Sequence, residues 1–207
     1  MLVGLGVPRP TLRTRPTLLG NAMADYRRNF VPGGTYFFTV VAAGRRPILT
    51  TELGRACLHE AIDAVRTVFP FKLVATVLLP DHLHAVWTLP AGDDRYPLRW
   101  QRIKELFTRR YVSQGGQELP RSKSRRHKKE RGVWQRRYWE HTVRDECELK
   151  KYVDYIHWNP RKHRLVQRVQ DWPWSTFHRF VAQGEYDVDW GGTDPCPGFD
   201  TPEWNER

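Results

Sequence analysis

The pattern of hydrophobic and polar positions predicts alternating strands and helices in the first half of the chain. A strand is predicted at Thr35–Val41, which is rich in aromatic and β-branched residues. Apolar residues then recur at helical spacing over 52–68. Two further strands, 71–79 and 82–89, flank the tight turn Pro80-Asp81 and are expected to pair as a hairpin.

The second half of the chain continues this alternation. A helix is predicted over 98–112, a mobile loop over 113–132, a strand over 133–141 and a helix over 145–159 that Pro160 ends. The order is β-α-β-β-α-β-α. It predicts an α+β fold, with a ferredoxin-like or RRM-like antiparallel sheet (βαββαβ) and an added C-terminal helix.

Composition predicts one domain with extensions at both ends. The 207 residues are 40% hydrophobic and 28% charged, an ordinary globular balance. Residues 1–24 are predicted to be a disordered extension, or the product of an upstream start codon with Met23 as the true start. Residues 25–182 form the predicted domain, and 183–207 form an acidic, irregular tail. No apolar run approaches the roughly 20 residues of a membrane span, and three scattered cysteines fit a reducing cytoplasm.

The charge of the chain favours a polyanionic partner. Lys and Arg number 34 against 23 Asp and Glu, a net charge of +11. Residues 121–131 alone hold seven Lys or Arg and one acid, Glu130. Nucleic acid is the commonest partner of such a surplus, whereas a soluble basic protein without that partner is the alternative.

The predicted third strand carries two histidines that can bind a metal ion together. His82 and His84 are separated by one residue, so their side chains point to the same face of the strand, whereas Leu83 points to the other face, in the core. Two imidazoles on a rigid strand can bind one divalent cation. A pair of ordinary strand histidines is the alternative at this stage.

The last predicted helix carries a candidate nucleophile. Tyr155 and Asn159 are four residues apart and therefore share a helix face. The amide oxygen of Asn159 is an acceptable ligand for a hard cation. A phenol, with a pKa of about 10, is a weak nucleophile at neutral pH, and a nearby cation assists its attack on a phosphate. Tyr152, one turn earlier, is the rival nucleophile, and packing of Tyr155 against the sheet is the structural alternative.

Basic and aromatic residues after the second helix are candidates for DNA contact. Trp134, Arg136 and Arg137 are interleaved on the predicted strand, where they either stack on bases and pair with phosphates or divide between core and solvent. Glu140 and His141 are candidates for orienting a metal ligand. The further cations predicted to bind the DNA backbone are Arg121, Lys123, Arg125, Arg126, Lys128 and Lys129.

Five blocks of sequence, in the same order, resemble the HUH tyrosine transposases of the IS200/IS605 type, and especially the REP-associated tyrosine transposases. They are GTYFFTV at 34–40, LPDHLH at 79–84, VWQRRYWEH at 133–141, YIHWNP followed by RKHRLV at 155–166, and DWPWS at 171–175. LPDHLH and YIHWNP together, at this separation, are specific for this family, whereas either block alone is not. The resemblance runs from about residue 25 to residue 190.

The resemblance implies a complete set of roles. His82, His84 and Asn159 would bind Mg²⁺ or Mn²⁺, and Tyr155 would attack single-stranded DNA to form a 5′-phosphotyrosine and release a 3′-hydroxyl. The domain at 25–182 would be an IS200-like HUH transposase domain whose substrates are hairpin-forming, REP-type repeats. Relatives act as monomers or homodimers. The chain departs from the family at Arg164, where the family usually has glycine.

Two other functions remain open from the sequence alone. A non-catalytic nucleic-acid-binding module also combines a ferredoxin-like sheet with a basic surface, although the usual spacing of RNA-binding aromatics is missing here. A phosphoesterase of the two-histidine type requires a second His-x-Thr or His-x-Ser motif, and the sequence has none at that spacing.

Overall fold

The computed structural model describes residues 28–195 and 197–198, and its centre is a four-stranded antiparallel sheet. The strands β1 (Thr35–Val41), β2 (Lys72–Leu78), β3 (His82–Thr88) and β4 (Trp139–Val143) lie in the order β2-β3-β1-β4. The helices are α1 (Glu52–Val68), α2 (Tyr96–Ser113), α3 (Lys123–His127), α4 (Glu146–Lys162) and α5 (Phe177–Ala182).

Side chains alternate between the two faces of the sheet, and different helices pack on each face. Phe38 and Leu83 belong to a core that α1 and α2 cover, whereas Phe37 and Val86 belong to a second core beneath α4. Because successive strand residues point to opposite faces, His82 and His84 lie on the same side as Phe37 and face α4. The prediction of an α+β, ferredoxin-like sheet with an added helix is confirmed.

The prediction of a strand over 133–141 is wrong in its first half, because β4 begins only at Trp139. Thr39 pairs with Trp139, so a regular ladder would bring Val41 opposite residue 137. The carbonyl of Val41 instead accepts from the backbone N–H of Gln135. Two extra residues therefore leave the ladder, and the chain bulges before β4 begins. The predicted loop 113–132 contains the short helix α3.

Pro160 does not end the last helix, contrary to the prediction. It lies inside α4, which continues to Lys162. Proline removes one N–H donor, but the following residues still close the final turn. The N–H of His163 donates to the carbonyl of Asn159, and that of Leu165 donates to the carbonyl of Pro160.

Where the structure describes it, the C-terminal tail packs on α4 and α5: Tyr186 stacks on Phe180, and its hydroxyl donates to Asp154. The prediction for residues 1–24 lies outside the described residues, as does part of the tail 183–207. The described part of the tail has turns and bends and no helix or strand beyond α5. Within the described residues, no helix is long and apolar enough to span a membrane.

The residue after the C-cap of α4 is an arginine in a conformation that favours glycine. Arg164 has φ +56°, a region that costs an L-residue about 1 kcal/mol or more. We expect Arg164→Gly to raise the free energy of unfolding by about 1 kcal/mol, measured by urea denaturation. Gln167→Gly is the control, because Gln167 does not have positive φ, and it should not stabilise the fold. If both variants changed the free energy of unfolding equally, the explanation from φ would be contradicted.

The first turn of α4 is fixed by charged side chains. The carboxylate of Asp145 accepts from the N–H of Glu148 at 2.7 Å and caps the helix. Glu148 in turn accepts from the backbone and guanidinium of Arg144 and contacts the imidazole of His141 in β4 at 2.9 Å. These bonds join the start of the helix to the sheet. The Arg144 side chain is the main reason that the pKa of Glu148 falls from 4.5 to about 2.

This lowered pKa predicts an acid-dependent loss of stability. Ionised Glu148 stabilises the fold above pH 4.5, and that contribution is lost as the pH falls towards 2. Since Arg144 is largely exposed, we expect Glu148→Gln to destabilise the fold by about 1 to 2 kcal/mol at pH 7. Urea denaturation of both proteins should show the difference shrinking below pH 4.5. A difference that is constant from pH 7 to pH 3 would contradict the prediction.

Candidate metal and nucleophile site

The two histidines of β3 are held in fixed orientations by their neighbours. Nδ1 of His82 lies 2.6 Å from a carboxylate oxygen of Asp81, and Nδ1 of His84 lies 2.9 Å from the hydroxyl of Thr39, its cross-strand partner. A carboxylate only accepts, so Nδ1 of His82 carries the proton and Nε2 presents a lone pair. The rings are 4.9 Å apart between centroids. Both side chains are buried, and both Nε2 atoms are available as ligands.

The surroundings of His84 favour its neutral imidazole. Burial would raise the pKa of Asp81, but its hydrogen bonds to His82 and Arg45 outweigh this and lower the pKa. Burial also lowers the pKa of His84 well below its usual value, and the positive charges of His82, His163, Lys162 and Arg45 add to this effect. A neutral imidazole is the form that binds metal.

Helix α4 places the candidate nucleophile directly over this pair. The ring of Tyr155 is 5.3 Å from the ring of His84 and 5% exposed. Asn159, one turn further along the same face, is completely buried. Neither its amide oxygen nor its amide nitrogen has a hydrogen-bond partner among the described residues, and the same holds for Nε2 of His84. Buried polar atoms are rarely left unpaired in folded proteins.

This donor set fits a divalent cation. Two imidazole nitrogens and one amide oxygen suit a borderline-hard ion and leave coordination positions open for a substrate. Nε2 of His84 and the amide oxygen of Asn159 are unpaired atoms that such an ion would satisfy. The described part of the chain holds no group of three or more His, Cys, Asp or Glu side chains that could bind a metal ion, so this site depends on the amide of Asn159 as its third ligand.

Tyr152 occupies a different environment from Tyr155. Its ring stacks on Phe37 with centroids 4.4 Å apart and lies 5.4 Å from the ring of His141. No ring contact joins it to His82 or His84 among those of the described residues. Of the two tyrosines considered from the sequence, only Tyr155 has a ring contact with the histidine pair.

Glu140 and His141, which the sequence offered as candidates for orienting a metal ligand, make other contacts in the structure. Glu140 points to the face covered by α2, where it accepts from the hydroxyl of Tyr96 at 3.2 Å and pairs with Arg28. His141 contacts Glu148 at the start of α4. The residues that do orient the histidines are Asp81 and Thr39. Sequence reasoning missed them, although Asp81 directly precedes His82 and is a residue type that fixes imidazoles.

The candidate DNA-contact residues are distributed between core and solvent. Trp134 is 5% exposed and packs edge-on against Phe107 with centroids 4.8 Å apart, so its ring is part of the core. Arg136 pairs with Glu130 at 2.5 Å, and Arg137 is exposed. Arg125 is half-buried, with hydrogen bonds to two backbone carbonyls. The remaining members of the predicted set are exposed: Arg121, Lys123, Arg126, Lys128 and Lys129.

An open groove lies beside these cations, between α2 and the segment 125–138. Its volume is about 860 Å³. The lining carries the acids Glu105 and Glu130 against the basic side chains of Arg28, Lys104, Arg109, Arg125, Lys129, Arg131 and Arg136. This excess of positive charge suits a polyanion rather than an apolar ligand.

Comparisons with known proteins give the class and then the family of the chain. The family model described as "Transposase IS200 like" matches residues 31–159. A REP-associated tyrosine transposase of Escherichia coli (strain K12) is 43% identical over 171 residues, which are 82% of this chain and 92% of that protein. A Haemophilus influenzae protein of similar name is 42% identical over 173 residues, covering 82% and 94%.

A solved structure agrees with these matches. Its description is "Structure of the REP associates tyrosine transposase bound to a REP hairpin". It superposes with a TM-score of 0.69 at 41% identity and covers 87% of this chain and 100% of that one. The chain is therefore a transposase, a DNA-binding enzyme. It belongs to the family of IS200-like tyrosine transposases, whose members are generally metal-dependent. This decides against the non-catalytic nucleic-acid-binding module.

Proposed function

We propose that this chain nicks and rejoins single-stranded DNA beside hairpin-forming repeats of the REP type through a covalent 5′-phosphotyrosine. The observation that carries the proposal is the contact of Tyr155 with the ring of His84, one helical turn from the buried and unpaired amide of Asn159. The Escherichia coli relative and the hairpin-bound structure, both above 40% identity, support hairpin DNA as the substrate class.

In the proposed reaction, the phenol oxygen of Tyr155 attacks the phosphorus of one DNA phosphodiester. The bond from this oxygen to phosphorus forms as the bond from phosphorus to O3′ breaks. The phenol loses its proton, and the departing O3′ gains one to become a free 3′-hydroxyl. The phosphodiester energy is retained in the phosphotyrosine, so attack by a 3′-hydroxyl reverses the step and joins strands.

The proposed metal ligands are His82, His84 and Asn159. A bound Mg²⁺ or Mn²⁺ would draw charge from the scissile phosphate and so favour attack by a weak phenol nucleophile. Asp81 and Thr39 hold the two imidazoles with Nε2 towards the site, and burial keeps His84 neutral. The two nitrogen ligands favour Mn²⁺ over Mg²⁺ in vitro.

We propose that the basic segment 121–131, together with Arg136 and Arg137, contacts the DNA backbone. The groove beside α2 has the charge for this. Such contacts position the nucleic acid without reading its sequence. Since Trp134 is in the core, its expected part is to hold this segment against α2 rather than to stack on bases.

The test uses one hairpin oligonucleotide with single-stranded flanks, taken from an inverted repeat beside the gene and labelled at either end. With Mn²⁺, the 3′-labelled strand should become covalently attached to the protein, and the 5′-labelled strand should be released free. Denaturing gels separate the two. EDTA should abolish both products. Attachment of the 5′-labelled strand would contradict the proposed polarity, and cleavage that persists in EDTA would contradict the metal dependence.

A further inference from the structure

The C-terminal turn of α4 brings basic side chains to the nucleophile. The ammonium group of Lys162 lies 4.9 Å from the centre of the Tyr155 ring, and the ring of His163 lies 5.2 Å from that of His82. Lys162 is seven residues after Tyr155, which places both on one helix face. Arg161 is directed elsewhere and donates to the carbonyl of Gly191. The basic turn therefore faces the candidate site through its later residues.

A second basic side chain lies beside the histidine pair, at Asp81. Arg45 follows β1, and its guanidinium lies 3.2 Å from Asp81, the residue that orients His82. Asp81 is the acid in contact with this end of the histidine pair among the described residues, and it is paired with both Arg45 and His82. Positive charge from both Lys162 and Arg45 therefore acts on His84.

Arg45 and Arg164 have a backbone conformation that favours glycine. Among the described residues, three that are not glycine have positive φ: Arg45 at 50°, Lys129 at 55° and Arg164 at 56°. All three are cationic; Arg45 contacts Asp81 beside the histidine pair, and Arg164 follows Lys162 by two residues. The helix dipole explains why positive charge is favourable at the end of α4. It does not explain why arginine occupies a left-handed position where glycine costs less.

We propose that Arg45, Lys162 and Arg164 form a phosphate clamp that binds the single-stranded DNA backbone next to the nucleophile. This inference rests on the proposed function and adds residues that hold the strand at the nucleophile. Lys162 is placed to contact the phosphate nearest Tyr155. Arg164 is exposed, and in this proposal it binds a neighbouring phosphate of the same strand.

The test measures binding and cleavage by variants that leave the histidines and Asp81 unchanged. Fluorescence anisotropy in EDTA gives the salt dependence of binding for a labelled hairpin with single-stranded flanks and for the same hairpin without flanks. A contact with one single-strand phosphate contributes about 0.7 to the slope of log K against log salt. Lys162→Gln and Arg164→Gly should each make the slope for the flanked hairpin shallower by about 0.7 and leave that for the flankless hairpin unchanged.

The cleavage assay adds a second readout. Lys162→Gln should slow formation of the covalent adduct by about tenfold or more, whereas Lys162→Arg should keep both the wild-type slope and most of the rate. Lys72→Gln is the matched control. It removes one exposed cation at the far end of the sheet, where Lys72 pairs with Thr88, and should change neither readout.

Arg164→Gly distinguishes loss of DNA binding from misfolding, because this variant should be at least as stable as the wild type. Reduced affinity in a protein of undiminished stability supports the clamp. If Lys162→Gln and Arg164→Gly behave like Lys72→Gln while the wild type cleaves, the clamp is wrong and the proposed function stands. If the wild type forms no adduct on any flanked hairpin, the proposed function itself fails.

Discussion

Tyr155→Phe is expected to abolish the covalent adduct and to reduce cleavage by at least about 1000-fold. The substitution removes only the phenol oxygen. The phenylalanine ring retains the contacts that Tyr155 makes with His84 at 5.3 Å and with Phe37 at 6.0 Å. We therefore expect the fold and the affinity for hairpin DNA to be preserved. Denaturing gels of the 3′-labelled hairpin measure the adduct, and anisotropy measures the affinity.

Tyr152→Phe is the matched control for this experiment. The two tyrosines lie one turn apart on α4, and both are nearly buried, at 4% and 5% exposed. The Tyr152 ring should keep its stacking on Phe37 after the hydroxyl is removed, so the adduct should form as in the wild type. An adduct that survives Tyr155→Phe and disappears in Tyr152→Phe would reverse the assignment of the nucleophile.

Asn159→Leu is expected to stabilise the metal-free protein and to inactivate it. Both amide atoms of Asn159 are buried without a partner, and such a pair costs about 1 to 3 kcal/mol. Leucine of similar size removes this cost, so the melting temperature in EDTA should rise by about 2 to 4 °C for each kcal/mol gained. Cleavage in Mn²⁺ should fall by about 100-fold or more, because one metal ligand is lost.

The dependence of stability on metal completes this test. A ligand that binds only the folded state at 100 times its dissociation constant adds about 2.7 kcal/mol. The wild type should show a rise in melting temperature with Mn²⁺, and Asn159→Leu should lose most of that rise. Asn159→Asp is the control, since it keeps an oxygen ligand and should retain the response. An equal response in the wild type and Asn159→Leu would remove Asn159 from the ligand set.

Much of the fold follows from local pattern. Alternating aromatic and β-branched residues define β1 at Thr35–Val41, and the helical spacing from Thr51 onward defines α1, which Thr51 caps through its side chain. The same two periodicities place His82 with His84 on one strand face and Tyr155 with Asn159 on one helix face. The sequence by itself thus determined the candidate site residues and, through the resemblance, the family.

Features that depend on contacts between distant segments of the chain were decided only by the tertiary structure. The bulge before β4 shows in the bond from Gln135 to the carbonyl of Val41, two residues out of the register set by Thr39 and Trp139, and no pattern within 133–141 encodes this. The burial of Trp134 depends on α2 packing over it. The partners of the histidines, Thr39 across the sheet and Asp81 in the turn, depend on register and rotamer. The periodicity of the sequence indicates the face of a strand or helix on which a side chain lies. The residues that it contacts depend on how the strands and helices pack together.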